Sequence, residues 1–363
     1  MINYFKQHLL VTLILATSIF ISCTDDEMQL NLPSADAEGY FVVNEGGFGK
    51  GNTSLSFYDR NTEQVFNDIF FIANGDQPLG DQSQSMTIHG DNGYIVVQNS
   101  KKIEVIGKGS LKTVATIEDG IESPRYFVGL SDSKGYVSDW GADGVSGSVK
   151  VIDLSNFQVT KTISTGQGTN RLLIEGDKLY AVNAGGWGRD NTLVVINTST
   201  DEISETIEIA DNPNSLQVDS NGNIWVLTGG HKEYDPDDFS LIEDMSTSGT
   251  LSKISATGEV LLTLSFADLN SPKGLNISTD GSQLYYLYNG GVYAMEITSS
   301  ALPTEALISK SYYGLTIDPV DGTIIGCEAP SFDSSGNIDI YSAAGTLQSS
   351  HQVGIAPNGC AFR

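Results

Sequence analysis

The feature that most constrains this chain is a unit of four short strands that recurs along it at low identity. SPRYFVGLSDSKGYVSDW (123–140) aligns with NPNSLQVDSNGNIWVLTGG (212–230), and SPKGLNISTDGSQLYYLYNGG (271–291) with KSYYGLTIDPVDGTIIGCEA (310–329). Each copy has a polar or Pro-containing lead, an apolar strand, an Asp-rich tight turn and a second strand. Third strands follow, such as GSVKVIDLS (147–155) and NTLVVINTS (191–199), and then fourths such as QVTKTIST (158–165). No helical period runs through the body; β-branched and aromatic runs are broken by Gly, Asn, Asp and Ser instead.

Anchoring each unit just before its first strand gives Gln84, Arg125, Arg171, Asn214, Lys273, Tyr312 and Asn358. The intervals are 41, 46, 43, 59, 39 and 46 residues. Four strands at this spacing are the mark of propeller blades. The long interval contains an insertion, GGHKEYDPDDFSLIEDMSTS (229–248). The ends carry the argument further. APNGCAFR (356–363) is a lead and a first strand with nothing after it, and GYFVVNEGG (39–47) is a second strand with no first. Joined, they complete one blade and remove two open sheet edges, which an open solenoid would not require. The expected fold is all-β: a seven-bladed β-propeller with four-stranded blades, closed by the C-terminal strand joining the N-terminal blade.

Residues 1–22 read as a signal segment outside this fold. Lys6 precedes a 13-residue apolar run, LLVTLILATSIFI (9–21), too short to span a bilayer. Ser22-Cys23 then matches a bacterial lipoprotein cleavage site, making Cys23 the expected lipidation site. Residues 23–38 read as a flexible acidic tether and 39–363 as the propeller. Cys327 and Cys360 form no disulfide framework or metal motif; buried core thiols are the first reading and a bridge between them the second.

One nine-residue template occurs twice, NEGGFGKGN (44–52) and NAGGWGRDN (183–191). It is not a phosphate loop: it lacks Gly-x4-Gly-Lys-Ser/Thr, and a strand rather than a helix follows it. Both copies connect the second and third strands of a blade, three blades apart, or ~150° around a seven-bladed ring. Glycine explains the tight backbone but not Phe48 and Trp187 at the tips. Trp140 holds the equivalent place in another blade, Tyr234 and Phe239 lie in the insertion, and Phe332 lies in the last blade. Aromatic rings on one face, joined by Lys50, Asn52, Arg189 and Asn191 from the loops and by Arg125 and Arg171 from the inner rim, suit a rigid ligand of mixed polarity. The competing reading is that the rings only pack neighbouring loops together.

The charge is −26, and −27 once Lys6 is removed with the signal, so nucleic acid and anionic lipid are poor partners and membrane attachment is expected through the lipid alone. No HExxH, paired-Cys or Gly-x-Ser-x-Gly pattern occurs, and the recurrent Asp-rich turns read as hairpin chemistry. No enzyme activity, resident metal or cofactor is expected; a propeller lyase or hydrolase is the enzyme class that would compete. The five acids of 234–246 lack EF-hand spacing and read as a solvated loop before a Ca²⁺ site.

The lipidated Cys followed by Thr24-Asp25-Asp26-Glu27, the opening FVVNEGGFGKGNTSLSFYD (41–59) and seven degenerate blades resemble the surface propeller lipoproteins of gut Bacteroidota, within YncE-like propellers generally, over residues 39–363. The resemblance implies an outer-membrane protein facing the cell exterior. It also implies capture of cobalamin or another corrinoid as ligand, and handover to a TonB-dependent outer-membrane transporter. A glycan-binding or adhesion propeller is the alternative.

Overall fold

A computed structural model describes residues 31–363; the signal segment and Cys23 lie outside the described residues. Seven antiparallel sheets form the blades of a propeller. In blade 1 the C-terminal strand Pro357–Phe362 is innermost, followed by Gly39–Asn44, Ser54–Asp59 and Gln64–Phe66. Val42 faces Cys360 on one side and Ser56 on the other, so both halves of the blade are in register. The ring is closed as the complementary ends predict.

Six blades have four strands. The sixth has three, Lys273–Ile277, Gln283–Tyr288 and Gly291–Glu296, and its outer position is held by a single bridge between Val292 and Ile308. The segment before Ile308 carries Pro303, which cannot donate to a ladder.

The second and third strands of each blade are apolar on both faces because each blade is sandwiched between two others. Side-chain alternation sends successive residues to opposite neighbours. In blade 2, Tyr94 and Val96 pack with Phe127 and Val137 of blade 3, whereas Ile95 and Val97 pack with Phe41 and Leu55 of blade 1. In blade 5, Trp225 and Leu227 face blade 6 while Ile224 and Val226 face blade 4. Seven such clusters occupy the seven interfaces, so the core is a ring of contacts rather than one centre.

The Asp-rich turns do what their spacing suggests. Asp219 accepts the backbone N–H groups of Asn221 and Asn223 and the Trp225 indole N–H, at 2.9, 3.0 and 2.9 Å. Cys327 is buried and neither it nor Cys360 is bridged. Residues 31–38 differ from the expected tether: Ala37 is buried with Phe41 and Ile69, and the Arg363 guanidinium donates to the Ser34 and Ala35 carbonyls. The propeller body therefore begins before residue 39.

Candidate ligand-binding face and funnel floor

The two template loops share a construction. The leading asparagines, Asn44 and Asn183, are fully buried and tie the loop base: Asn44 Nδ2 donates to Ser56 Oγ at 2.8 Å and Asn183 Nδ2 to Thr192 Oγ1 at 2.9 Å. The first glycine of each pair, Gly46 or Gly185, has φ of 79° or 90°. The second glycine lies against the preceding blade. A Cβ on Gly47 would stand 2.8 Å from the Phe332 carbonyl oxygen, and one on Gly186 would stand 2.2 Å from that of Gly144. The template is repeated because two blades each press this loop onto the preceding blade's loop.

That contact lifts the next residue outward. Trp187 is 81% exposed and Phe48 71% exposed. In the insertion, Phe239 is 78% exposed and Tyr234 is also exposed; paired bridges His231–Thr247 and Tyr234–Leu241 raise this segment as a flap. Phe332 is half-exposed, with its ring 5.4 Å from Tyr313 in an edge contact. Trp140 differs from the other rings. It is largely covered, stands 6.2 Å from Trp187 at 82°, and has Arg125 Cζ 3.3 Å from its centroid. Its ring braces the loops, as the packing reading supposes, while Trp187 stays free.

The expected polar groups divide in the same way. Arg189 makes a two-pronged bond with Asp211, Nε to Oδ1 at 2.9 Å and Nη2 to Oδ2 at 2.8 Å, and this pairing holds the Asp211 carboxyl below its ordinary range. Its charge is thus engaged within the loop face. Asn52 Oδ1 accepts the Gly47 N–H at 2.9 Å and shapes its own loop. Lys50 and Asn191 are exposed. His231 shares a 2.9 Å contact with Glu233. The insertion's acids do not converge: among the described residues no group of three or more His, Cys, Asp or Glu is placed to hold a metal ion.

Behind this face lies a second set of groups. Five inner strands begin with a break in register: between Ser83 and Ser85, Pro124 and Phe127, Thr169 and Leu172, Pro213 and Ser215, and Lys273 and Asn276; Gly314–Ile317 pairs without one. The C-terminal strand shows the same break beside Asn44. Such bulges re-aim side chains, and here they turn Gln84, Tyr126, Arg171 and Asn214 toward a cavity of about 210 Å³ at the base of the funnel. A cavity of about 470 Å³ continues along the axis and shares Gln84, Tyr126, Arg171 and Asn358 with it.

Several rim residues serve as staples between blades. Asn214 Nδ2 donates to the Pro272 carbonyl at 2.9 Å, and Asn358 Nδ2 to the Ser83 carbonyl at 3.0 Å. Arg125 is only 9% exposed. Its Nη1 donates to Gln84 and Gln98, and burial pushes its pKa down to about 10. Arg125 therefore lies beneath the loops rather than on the ligand face. Tyr312, an anchor by spacing, is buried instead, with its hydroxyl 2.7 Å from Asp339; Tyr313 is the residue that lines the funnel. Glu45 and Tyr313 were not legible as site residues. Glu45 is 8% exposed, accepts the Tyr313 hydroxyl at 2.6 Å, and has its pKa raised by burial. Its only sequence signal is a position inside the first template.

Among curated proteins none matches the sequence significantly. Solved structures that resemble it include a quinonprotein alcohol dehydrogenase-like protein from Bacteroides thetaiotaomicron, with 14% identity, a TM-score of 0.66, and 90% of this chain and 78% of that one covered. A functionally unknown protein from Desulfotomaculum acetoxidans has 13% identity and a TM-score of 0.66 over 90% of this chain and 99% of that one. Hydrazine synthase of Kuenenia stuttgartiensis has 15% identity and a TM-score of 0.62 over 85% and 97%. At such identities the likeness concerns the propeller fold alone. The family model for the domain of unknown function DUF5074 matches residues 38–354, and the chain belongs to that family.

Proposed function

We propose that this protein is a lipid-anchored capture propeller of the outer membrane. Its loop face binds a corrinoid such as cobalamin at the cell exterior and delivers it to a TonB-dependent transporter. The supporting observation is the exposure of Trp187 and Phe48, held out by matched glycine loops three blades apart. Large rings kept wet on a rigid frame are a binding surface in waiting. A corrin ring has an apolar plane and a rim of amide arms. The rings would cover the plane, and Lys50, Asn191 and the flap would meet the rim. The anchor and location rest on Ser22-Cys23 and the acids that follow it.

Calorimetric titration of the propeller, residues 31–363, with cyanocobalamin tests this reading. Saturable binding at micromolar ligand is expected. Absence of binding would refute corrinoid capture, and retardation on polysaccharide gels in its place would favour the glycan alternative.

A further inference from the structure

The funnel floor carries charge of the wrong sign for this protein. The chain has 45 acids against 19 Lys and Arg, yet the 210 Å³ cavity is lined by two cations, Arg171 and Lys273, and one carboxylate, Glu45. Neither cation has a carboxylate within ion-pair distance, and neither makes a hydrogen bond, among the described residues. Arg171 is braced by Tyr126, with Cζ 4.0 Å from the ring centroid, and Lys273 by Tyr313, with Nζ 4.9 Å from it. Behind them Arg125 is bonded only to the neutral amides of Gln84 and Gln98, and its buried Nε has no partner.

Both side chains keep solvent-accessible surface in the funnel, so their charge, not already neutralised by a carboxylate, is available to an anion that enters it. Aromatic bracing keeps both in place between ligands. Burial lowers the Lys273 pKa, with Glu45 opposing that effect, so desolvation acts on the amine. The Tyr126 hydroxyl accepts from Gln84 Nε2 at 3.2 Å and keeps its own proton to give.

We propose that the funnel floor is an oxyanion site. Lys273 and Arg171, from blades two places apart, and the Tyr126 hydroxyl hold a phosphate or carboxylate group that enters from the loop face. The oxyanion takes charge-assisted hydrogen bonds from the two cations and a neutral one from the tyrosine. Glu45 sits on the same cavity wall as the opposing charge and excludes anions that cannot reach past it. The site is independent of what binds the aromatic rim, since none of its groups belongs to the loop tips.

Calorimetry on the propeller with inorganic phosphate in one arm and acetate in the other reads this directly. Saturable one-to-one binding is expected in at least one arm, and the arm that binds identifies the oxyanion. Lys273→Met and Arg171→Met should each weaken it at least about tenfold. Glu45→Gln should strengthen it severalfold, which a diffuse surface effect would not do. Lys112→Gln, an exposed residue outside the cavity, should leave it unchanged. Heat without saturation in both arms would overturn the proposal. So would unchanged affinity in Lys273→Met and Arg171→Met proteins that melt like the parent. Should either variant fail to fold, the direction of the Glu45→Gln change decides alone.

Discussion

Arg125 sits over Trp140, with Cζ 3.3 Å from the ring centroid, and the edge of that ring pair continues to Trp187 at 6.2 Å. With Gln84 and Gln98 bonded to the Arg125 guanidinium, this row of side chains runs from blade 2 through blade 3 to blade 4. It braces the loops of these three blades from below and leaves only the last ring in water.

The two tryptophans should therefore behave differently. Trp140→Ala removes a covered ring and the platform of a buried cation, and should lower stability by about 3 kcal/mol. Trp187→Ala should change it by less than about 1 kcal/mol. Urea unfolding of the two variants checks both values. Equal losses would mean that Trp187 is also a packing residue.

Ligand binding should show the opposite order. Trp187→Ala should weaken cyanocobalamin binding by at least roughly 30-fold, and Lys50→Ala by less than roughly 10-fold, because a central ring outweighs a rim charge. Titration calorimetry measures both. Normal binding by a Trp187→Ala, Phe48→Ala double variant would remove these loops from the site.

Glu45 should make stability depend on pH. Its folded pKa lies above its unfolded one through burial, so the folded protein binds the proton more readily. The destabilisation is absent below the ordinary carboxylate range, builds as pH rises toward the raised value, and is complete above it. Glu45→Gln keeps an acceptor for Tyr313 and loses the charge. Its Tm should exceed the parent's at pH 7, with the difference closing as the pH falls below ~4. A Tm difference that does not change with pH would contradict this.

Glycine at the loop contact should be irreplaceable. Gly186→Ala adds a Cβ 2.2 Å from the Gly144 carbonyl oxygen at a residue with φ of 60°. Gly49→Ala meets nothing within 4 Å at φ of 71° and suffers backbone strain alone, about 1–2 kcal/mol. The first substitution should destabilise the protein by clearly more than the second in thermal melts, and should shift Trp187 fluorescence.

Removing residues 356–363 tests the closure. The deletion strips the inner strand from blade 1, exposes the edges of Gly39–Asn44, and breaks the Asn358 bonds to the Ser83 and Gln84 carbonyls. A loss above about 4 kcal/mol is expected in urea unfolding, beyond most point substitutions. An unchanged midpoint would show that the ring does not need its last strand.

Repeat spacing, two-sided apolar strands and complementary ends determined the propeller and its closure from sequence alone. These are local patterns. A period of two decides which side chain meets which neighbouring blade, and Ile95 and Val96 already point to different interfaces in the sequence. The exposed tips Phe48 and Trp187 were legible too, because glycine-rich loops cannot bury a ring by themselves. Tertiary structure decided the rest. Spacing selected Tyr312, whose hydroxyl is buried against Asp339, where the funnel takes its neighbour Tyr313. Whether a polar residue is a staple, like Asn214, a brace, like Arg125, or a free cation, like Lys273, depends on which backbone carbonyl, ring or carboxylate the next blade brings within reach. The order of residues along one blade does not contain that information; the closed ring supplies it.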